Sequence, residues 1–167
     1  MRVLVAYGST RAGTEGLARM MAGDLRQASF AVDVLPARRV KDLDGYDAVL
    51  VGGALYASRW HRDARRFVKR QTGQLRKRPT YFFSSGPLDG SATEREIPPV
   101  KDVAALMERV GARRHMTFGG RLTPDAKGFV ASAMSKGISG DWRNPDHVHS
   151  WTHRVASELR GDVEEPA

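Results

Sequence analysis

The sequence predicts an α/β fold, a parallel sheet with helices on both faces. Three observations lead there. Mostly apolar runs recur at 2–7, 30–35, 47–53, 80–86 and 115–120 of the 167 residues. Such runs, without strict alternation, suit strands buried on both faces. Stretches with helical spacing separate them, which implies crossovers between parallel neighbours. Three of the strands then end in glycine-containing loops. In an open parallel sheet these loops gather at the C-terminal edge, where ligands bind.

The first strand is Arg2-Val3-Leu4-Val5-Ala6-Tyr7. It runs into Gly8-Ser9-Thr10-Arg11-Ala12-Gly13-Thr14, small and hydroxyl residues ahead of a helical stretch at 15–26 that places Leu17, Met20, Met21 and Leu25 on one side. A strand, a Ser/Thr/Gly loop and a helix N-terminus in that order form an anion site, because backbone N–H groups, hydroxyls and the helix dipole all favour negative charge. The loop has neither the Gly-Lys-Ser/Thr of a Walker A loop nor a G-x-G-x-x-G spacing. The second strand holds Ala31, Val32 and Val34. The third ends in Gly52-Gly53 and continues as Ala54-Leu55-Tyr56-Ala57-Ser58. A helix is expected at 60–77, with a buried stripe of Ala64, Phe67, Val68, Gln71 and Leu75 and a basic remainder. The fourth strand runs into Ser84-Ser85-Gly86-Pro87-Leu88-Asp89-Gly90, and the fifth into Gly119-Gly120-Arg121. Further helices are expected at 100–110 and 146–159.

Composition narrows the function. The chain is 41% hydrophobic and 28% charged, carries a net +8 and has no cysteine. Disulfides, thiolate metal sites and cysteine nucleophiles are excluded. No apolar run approaches the ~20 residues of a membrane span. One domain over 1–160 with a short acidic tail at 161–167 is expected, in a cytoplasmic protein. The positive charge suits acidic partners, anionic lipid or nucleic acid. No RNA-binding signature or zinc finger is present, so nucleic acid is not an expected partner, whereas peripheral contact with anionic membrane is. An arginine-rich composition can also reflect genomic base composition alone.

The loop Ser9-Thr10-Arg11-Ala12-Gly13-Thr14 resembles the phosphate loop of flavodoxins. Its Ser-Thr-Arg-x-Gly-x-Thr form, including Arg11, resembles the flavodoxin-domain group that contains the menaquinone-dependent protoporphyrinogen oxidases. Tyr46-Asp47-Ala48-Val49-Leu50-Val51-Gly52, Trp60-His61, Phe67-Val68-Lys69, the segment 137–141 and Trp151 extend the likeness over most of the chain. The resemblance implies a flavodoxin-like three-layer α/β/α sandwich with a five-stranded parallel sheet of order 2-1-3-4-5. It also implies FMN as cofactor. The phosphate would be held by Ser9, Thr10, Arg11, Ala12, Gly13 and Thr14. The isoalloxazine would lie among Ala54, Leu55, Tyr56, Trp60, Ser84, Ser85, Gly86, Pro87 and Leu88, with Tyr56 and Trp60 supplying aromatic surface. The chain departs from the group in a short segment at 121–139 and in Tyr56, where the oxidase has an arginine. The expected function is an FMN-dependent oxidoreductase passing electrons between a reduced partner or substrate and a quinone-like or acidic acceptor. The alternatives are a flavodoxin-type electron carrier and a flavodoxin-fold protein without flavin.

Overall fold

A computed structural model describes residues 1–10, 12–87, 89–122 and 140–164. Arg11, Leu88 and most of the segment 121–139 thus lie outside the described residues. The side chain of Ala12 does too.

Five parallel strands form the sheet: β1 (Arg2–Gly8), β2 (Ala31–Pro36), β3 (Ala48–Tyr56), β5 (Thr80–Ser85) and β6 (Arg114–Phe118). They lie in the order β2-β1-β3-β5-β6, so the parallel strands have the expected 2-1-3-4-5 order. The helix α1 (Ala12–Gln27) connects β1 to β2, and α5 (Lys101–Val110) precedes β6. The last helix, α6 (Pro145–Glu164), extends beyond the start of the expected tail at 161.

Alternate strand residues face two separate cores. Val3, Val5, Leu50, Tyr81 and Phe83 pack under α1 and α6 with Leu17, Met21, Trp151 and Val155. Leu4, Ala6, Val49, Val51 and Phe82 pack under α2 (Arg62–Arg70) and α5 with Phe67, Val68, Val103 and Leu106. This double burial is why the strand sequences are continuously apolar.

The expected single helix at 60–77 is broken. Trp60 belongs to a two-residue strand β4 (Arg59–Trp60), and the helix stops at Gln71 before a short turn α3 (Thr72–Leu75). Gln71 donates its side-chain amide to the Lys41 carbonyl at 3.0 Å, and the Thr72 hydroxyl bonds the Val68 carbonyl at 2.9 Å. These side-chain bonds compete with continuation of the helix. A 3-10 turn at Ala37–Arg39 after β2, a short α4 (Ser91–Glu94) and a strand pair, β7 (Arg121–Leu122) with β8 (Gly140–Asp141), complete the described elements.

Register brings the loops to one edge. Gly8 lies opposite Gly53, Gly53 opposite Ser84, and Ser84 opposite Thr117. The segments after these residues leave the sheet side by side.

Candidate cofactor site

The site begins at the β1–α1 loop. The N-terminus of α2 sits against it: a Cβ on Gly8 would lie 2.6 Å from the Ala64 backbone nitrogen, so only glycine allows this approach. Thr14, in the first turn of α1, is 1% exposed, and its hydroxyl has no hydrogen-bond partner among the described residues. A buried hydroxyl left unbonded costs about 1–3 kcal/mol. The Thr10 hydroxyl lies 3.3 Å from the Tyr56 hydroxyl, which joins this loop to the end of β3.

Beyond β3 the chain folds back as a hairpin, with Leu55 opposite Trp60 and Tyr56 opposite Arg59. Ala57 and Ser58 form its turn with φ of 48° and 61°. Two successive left-handed residues match the twist of a tight hairpin, although the usual Asn-Gly is absent. The hairpin sets Tyr56 at the mouth of the site, its ring 6.0 Å from that of His61. Leu55 reaches the next loop, since its Cδ1 would lie 3.0 Å from a Cβ on Gly86.

Trp60 corrects the expectation of an indole offering its face to a cofactor. It is 1% exposed, lies 4.8 Å from the Phe82 ring and donates its indole N–H to Ser84 Oγ at 2.8 Å. The glycine pair before it has a matching role. A Cβ on Gly53 would lie 2.7 Å from Trp60 Cγ, and one on Gly52 would meet the Phe83 ring. Both glycines make room for aromatic rings of the core.

Ser84 is also committed to the interior. Besides accepting from Trp60, its hydroxyl lies 2.8 Å from His115 Nε2. The other ring nitrogen of His115 is buried without a partner, and burial lowers the His115 pKa to about 4, so the imidazole is neutral. Ala54 and Ser85 are buried as well. Gly86 and Pro87 are half-buried, with the Gly86 N–H bonded to the Phe118 carbonyl and the Pro87 carbonyl accepting from Gly120.

Thr10, Tyr56, Arg59, Trp60, His61, Arg62 and Arg65 line a cleft of about 510 Å³. Arg65 is held in place by donating Nε–H to the Trp60 carbonyl at 3.0 Å. His61 Nδ1 accepts from the Asp63 N–H at 3.1 Å and caps α2, which leaves its proton on Nε2. The contact of the same Nδ1 with the Asp63 carboxylate, at 3.9 Å, is therefore not an ion pair. Burial, chiefly, moves the His61 pKa down, with Arg62 and Arg65 adding to the effect against Asp63. Behind the loop, Arg121 packs on Gly13, and Arg143, paired with Asp141, covers Gly16.

Of the residues expected at the site, the structure brings Thr10 to Tyr56 and Leu55 to Gly86, and it puts Thr14 in the first turn of α1. Sequence reasoning did not single out Arg59, Arg121 or Arg143. The hairpin that turns Arg59 into the cleft is two residues long and has no Asn-Gly signal. The other two arginines reach α1 only through tertiary packing.

Comparison with known proteins bears on this geometry. The Flavodoxin domain family matches residues 4–139. The chain belongs to that family. It is similar to the protoporphyrinogen IX dehydrogenase [quinone] of Escherichia coli K12, at 22% identity over 136 residues, 80% of this chain and 70% of that protein. Among solved structures, a flavodoxin from Pseudomonas aeruginosa superposes with a TM-score of 0.64 at 16% identity, covering 96% of this chain and 99% of that one. The rubredoxin oxygen:oxidoreductase of Desulfovibrio gigas gives 0.68 at 13% identity, covering 98% of this chain but 37% of the other. These structural likenesses show the fold.

FMN is the cofactor of this flavodoxin-domain protein, a flavin-binding redox protein. The residues present fit the group. An unbonded buried hydroxyl on Thr14, a helix N-terminus and cleft arginines are a donor set for a phosphate dianion. No described helix is long and apolar enough to cross a membrane.

Proposed function

We propose that this flavodoxin-domain chain is an FMN-dependent oxidoreductase that passes electrons from a reduced partner or substrate to a quinone-like or acidic acceptor. The observation that carries the proposal is the open cleft in which Arg59, Arg62 and Arg65 stand beside the phosphate loop. The quinone comes from the name of the Escherichia coli relative.

Bound FMN supplies electron transfer at its isoalloxazine. Ser9, Thr10 and Thr14, with the loop's backbone N–H groups, would hold its phosphate. Arg11 and Ala12 share that segment. Tyr56 offers aromatic surface at the mouth of the cleft, and the hairpin from Ala54 with the loop from Ser85 to Pro87 supplies backbone groups. Trp60 and Ser84 act from behind, by fixing β4 against β5 through their hydrogen bond. Arg59, Arg62 and Arg65 stabilise negative charge in the cleft and attract anionic molecules to it. The His61 Nε2–H is a neutral donor beside Tyr56.

The test is an FMN titration followed by turnover. Purified protein should take up one FMN, and the reduced holoprotein should be reoxidised by menadione in repeated cycles. If FMN binds but menadione does not turn the protein over, the chain is an electron carrier. If FMN does not bind, the redox reading is wrong.

A further inference from the structure

We infer that the groove between α2 and α5 is a docking surface for an acidic electron-carrier protein. The inference rests on the flavin reading above and names the partner of that same site. The groove, of about 360 Å³, is lined by Arg59, Arg65, Lys69 and Arg109 over an apolar floor at Leu106. Asp102 is the one carboxylate among the described lining residues, and it is paired with Arg59 at 3.2 Å. Arg59 and Arg65 line both this groove and the cofactor cleft. The two depressions therefore adjoin across these two side chains, and a molecule seated in the groove lies next to the cleft.

The construction favours a protein over a small anion. Small-ligand sites fix their guest with a few converging polar groups in a concave pocket. Here Arg59, Lys69 and Arg109 are exposed. Exposed like charges suit transient docking, where they orient an encounter and speed it. The field extends past the groove, because α2 also carries Arg62, Arg66 and Arg70 against the single acid Asp63.

A docked carrier in its reduced state loses one electron. Two such encounters deliver two electrons to one FMN, and the two protons that complete its reduction come from solvent. The carrier is thus the reductant, and the cofactor is the group reduced.

The probe is a plant-type [2Fe–2S] ferredoxin, an acidic one-electron carrier, with cytochrome c as the basic control. Association with the purified full chain is read by calorimetry, and electron delivery from reduced ferredoxin by stopped flow. The variant is Lys69→Glu with Arg109→Glu, two residues that line the groove and not the cofactor cleft. Lys69→Glu alone serves if the double variant is unfolded by circular dichroism. The double variant should weaken ferredoxin binding and slow electron delivery about tenfold or more. The single variant should show a smaller loss of the same kind. FMN affinity should stay within about twofold, cytochrome c binding should not weaken, and the wild-type affinity should fall steeply between about 0.05 M and about 0.5 M NaCl. The proposal is overturned if ferredoxin does not associate with the wild type. It is also overturned if the folded variant binds ferredoxin as well as the wild type does. A polyanionic oligonucleotide that binds the wild type but not the variant, where ferredoxin binds neither, would make the groove a nucleic-acid surface and overturn it too. If FMN does not bind but ferredoxin binding still collapses in the variant, the docking surface stands and the flavin reading falls.

Discussion

His115 should make the protein sensitive to acid. The ring lies on β6, 9% exposed, with Nε2 against Ser84 Oγ and Nδ1 buried without a partner. Burial moves its pKa from 6.5 to about 4. The folded value is depressed, so the unfolded chain takes up a proton as the pH falls below 6.5, while the folded protein resists until about 4. Stability is therefore full above 6.5 and is lost across that window. At 1.36 kcal/mol for each tenfold difference in proton affinity, the loss from this one ring is about 3 kcal/mol. The perturbation is His115→Gln, which keeps a polar partner for Ser84 and removes the titration. Urea unfolding of both proteins, without FMN, from about pH 7.5 to about pH 4, gives two curves of stability against pH. The wild type should lose ~2–3 kcal/mol more than the variant over that range. His61 and His147, whose pKa values burial also lowers, titrate in both proteins and cancel in the difference. Curves that run parallel would show that the ring is protonated without penalty and that its burial is not felt as argued.

Three other substitutions probe the site and the hairpin beside it. Thr14→Val should weaken FMN binding by roughly 1.5–3 kcal/mol, as for a lost hydrogen bond to a charged group, yet leave the apoprotein as stable or more so, because the hydroxyl it removes is unbonded; FMN titration and apoprotein melting check the two halves. Ala57→Gly and Ser58→Gly should each raise stability by about 0.5–1 kcal/mol, since glycine relieves the left-handed strain at the hairpin turn at some cost in chain entropy, measurable as a rise in the thermal midpoint.

What the sequence revealed and what it hid have physical causes. Val3 to Ala6, Val49 to Val51 and Tyr81 to Phe83 are buried on both faces, so the apolar runs announced strands whichever side each residue faced. The proposed phosphate loop was legible because its signal is local: Ser9, Thr10 and Thr14 stand close together in the chain. The rest of the site depends on residues far apart. Gly53 in a strand end is compatible with either a ligand or a ring above it. Only the chain reversal at Ala57 and Ser58, which brings Trp60 back over Gly53, decides for the ring. Periodicity could not show that reversal, because β4 is two residues long and its turn lacks glycine. The same reversal sets Arg59 beside Arg65, and α5 brings Arg109 and Asp102 to the other wall. The basic run at 62–78 was visible as charge, but whether it was a solvated helix face or part of a groove was not. Folding sorts those cations. Arg70 bonds the Val40 carbonyl and Arg78 those of Leu43 and Tyr46, so they tie the α2 region to the loop after β2. Arg65 and Lys69 line the groove, and Arg65 also reaches the cofactor cleft. A net charge of +8 therefore says less about partners than the few cations that folding leaves along this cleft and groove.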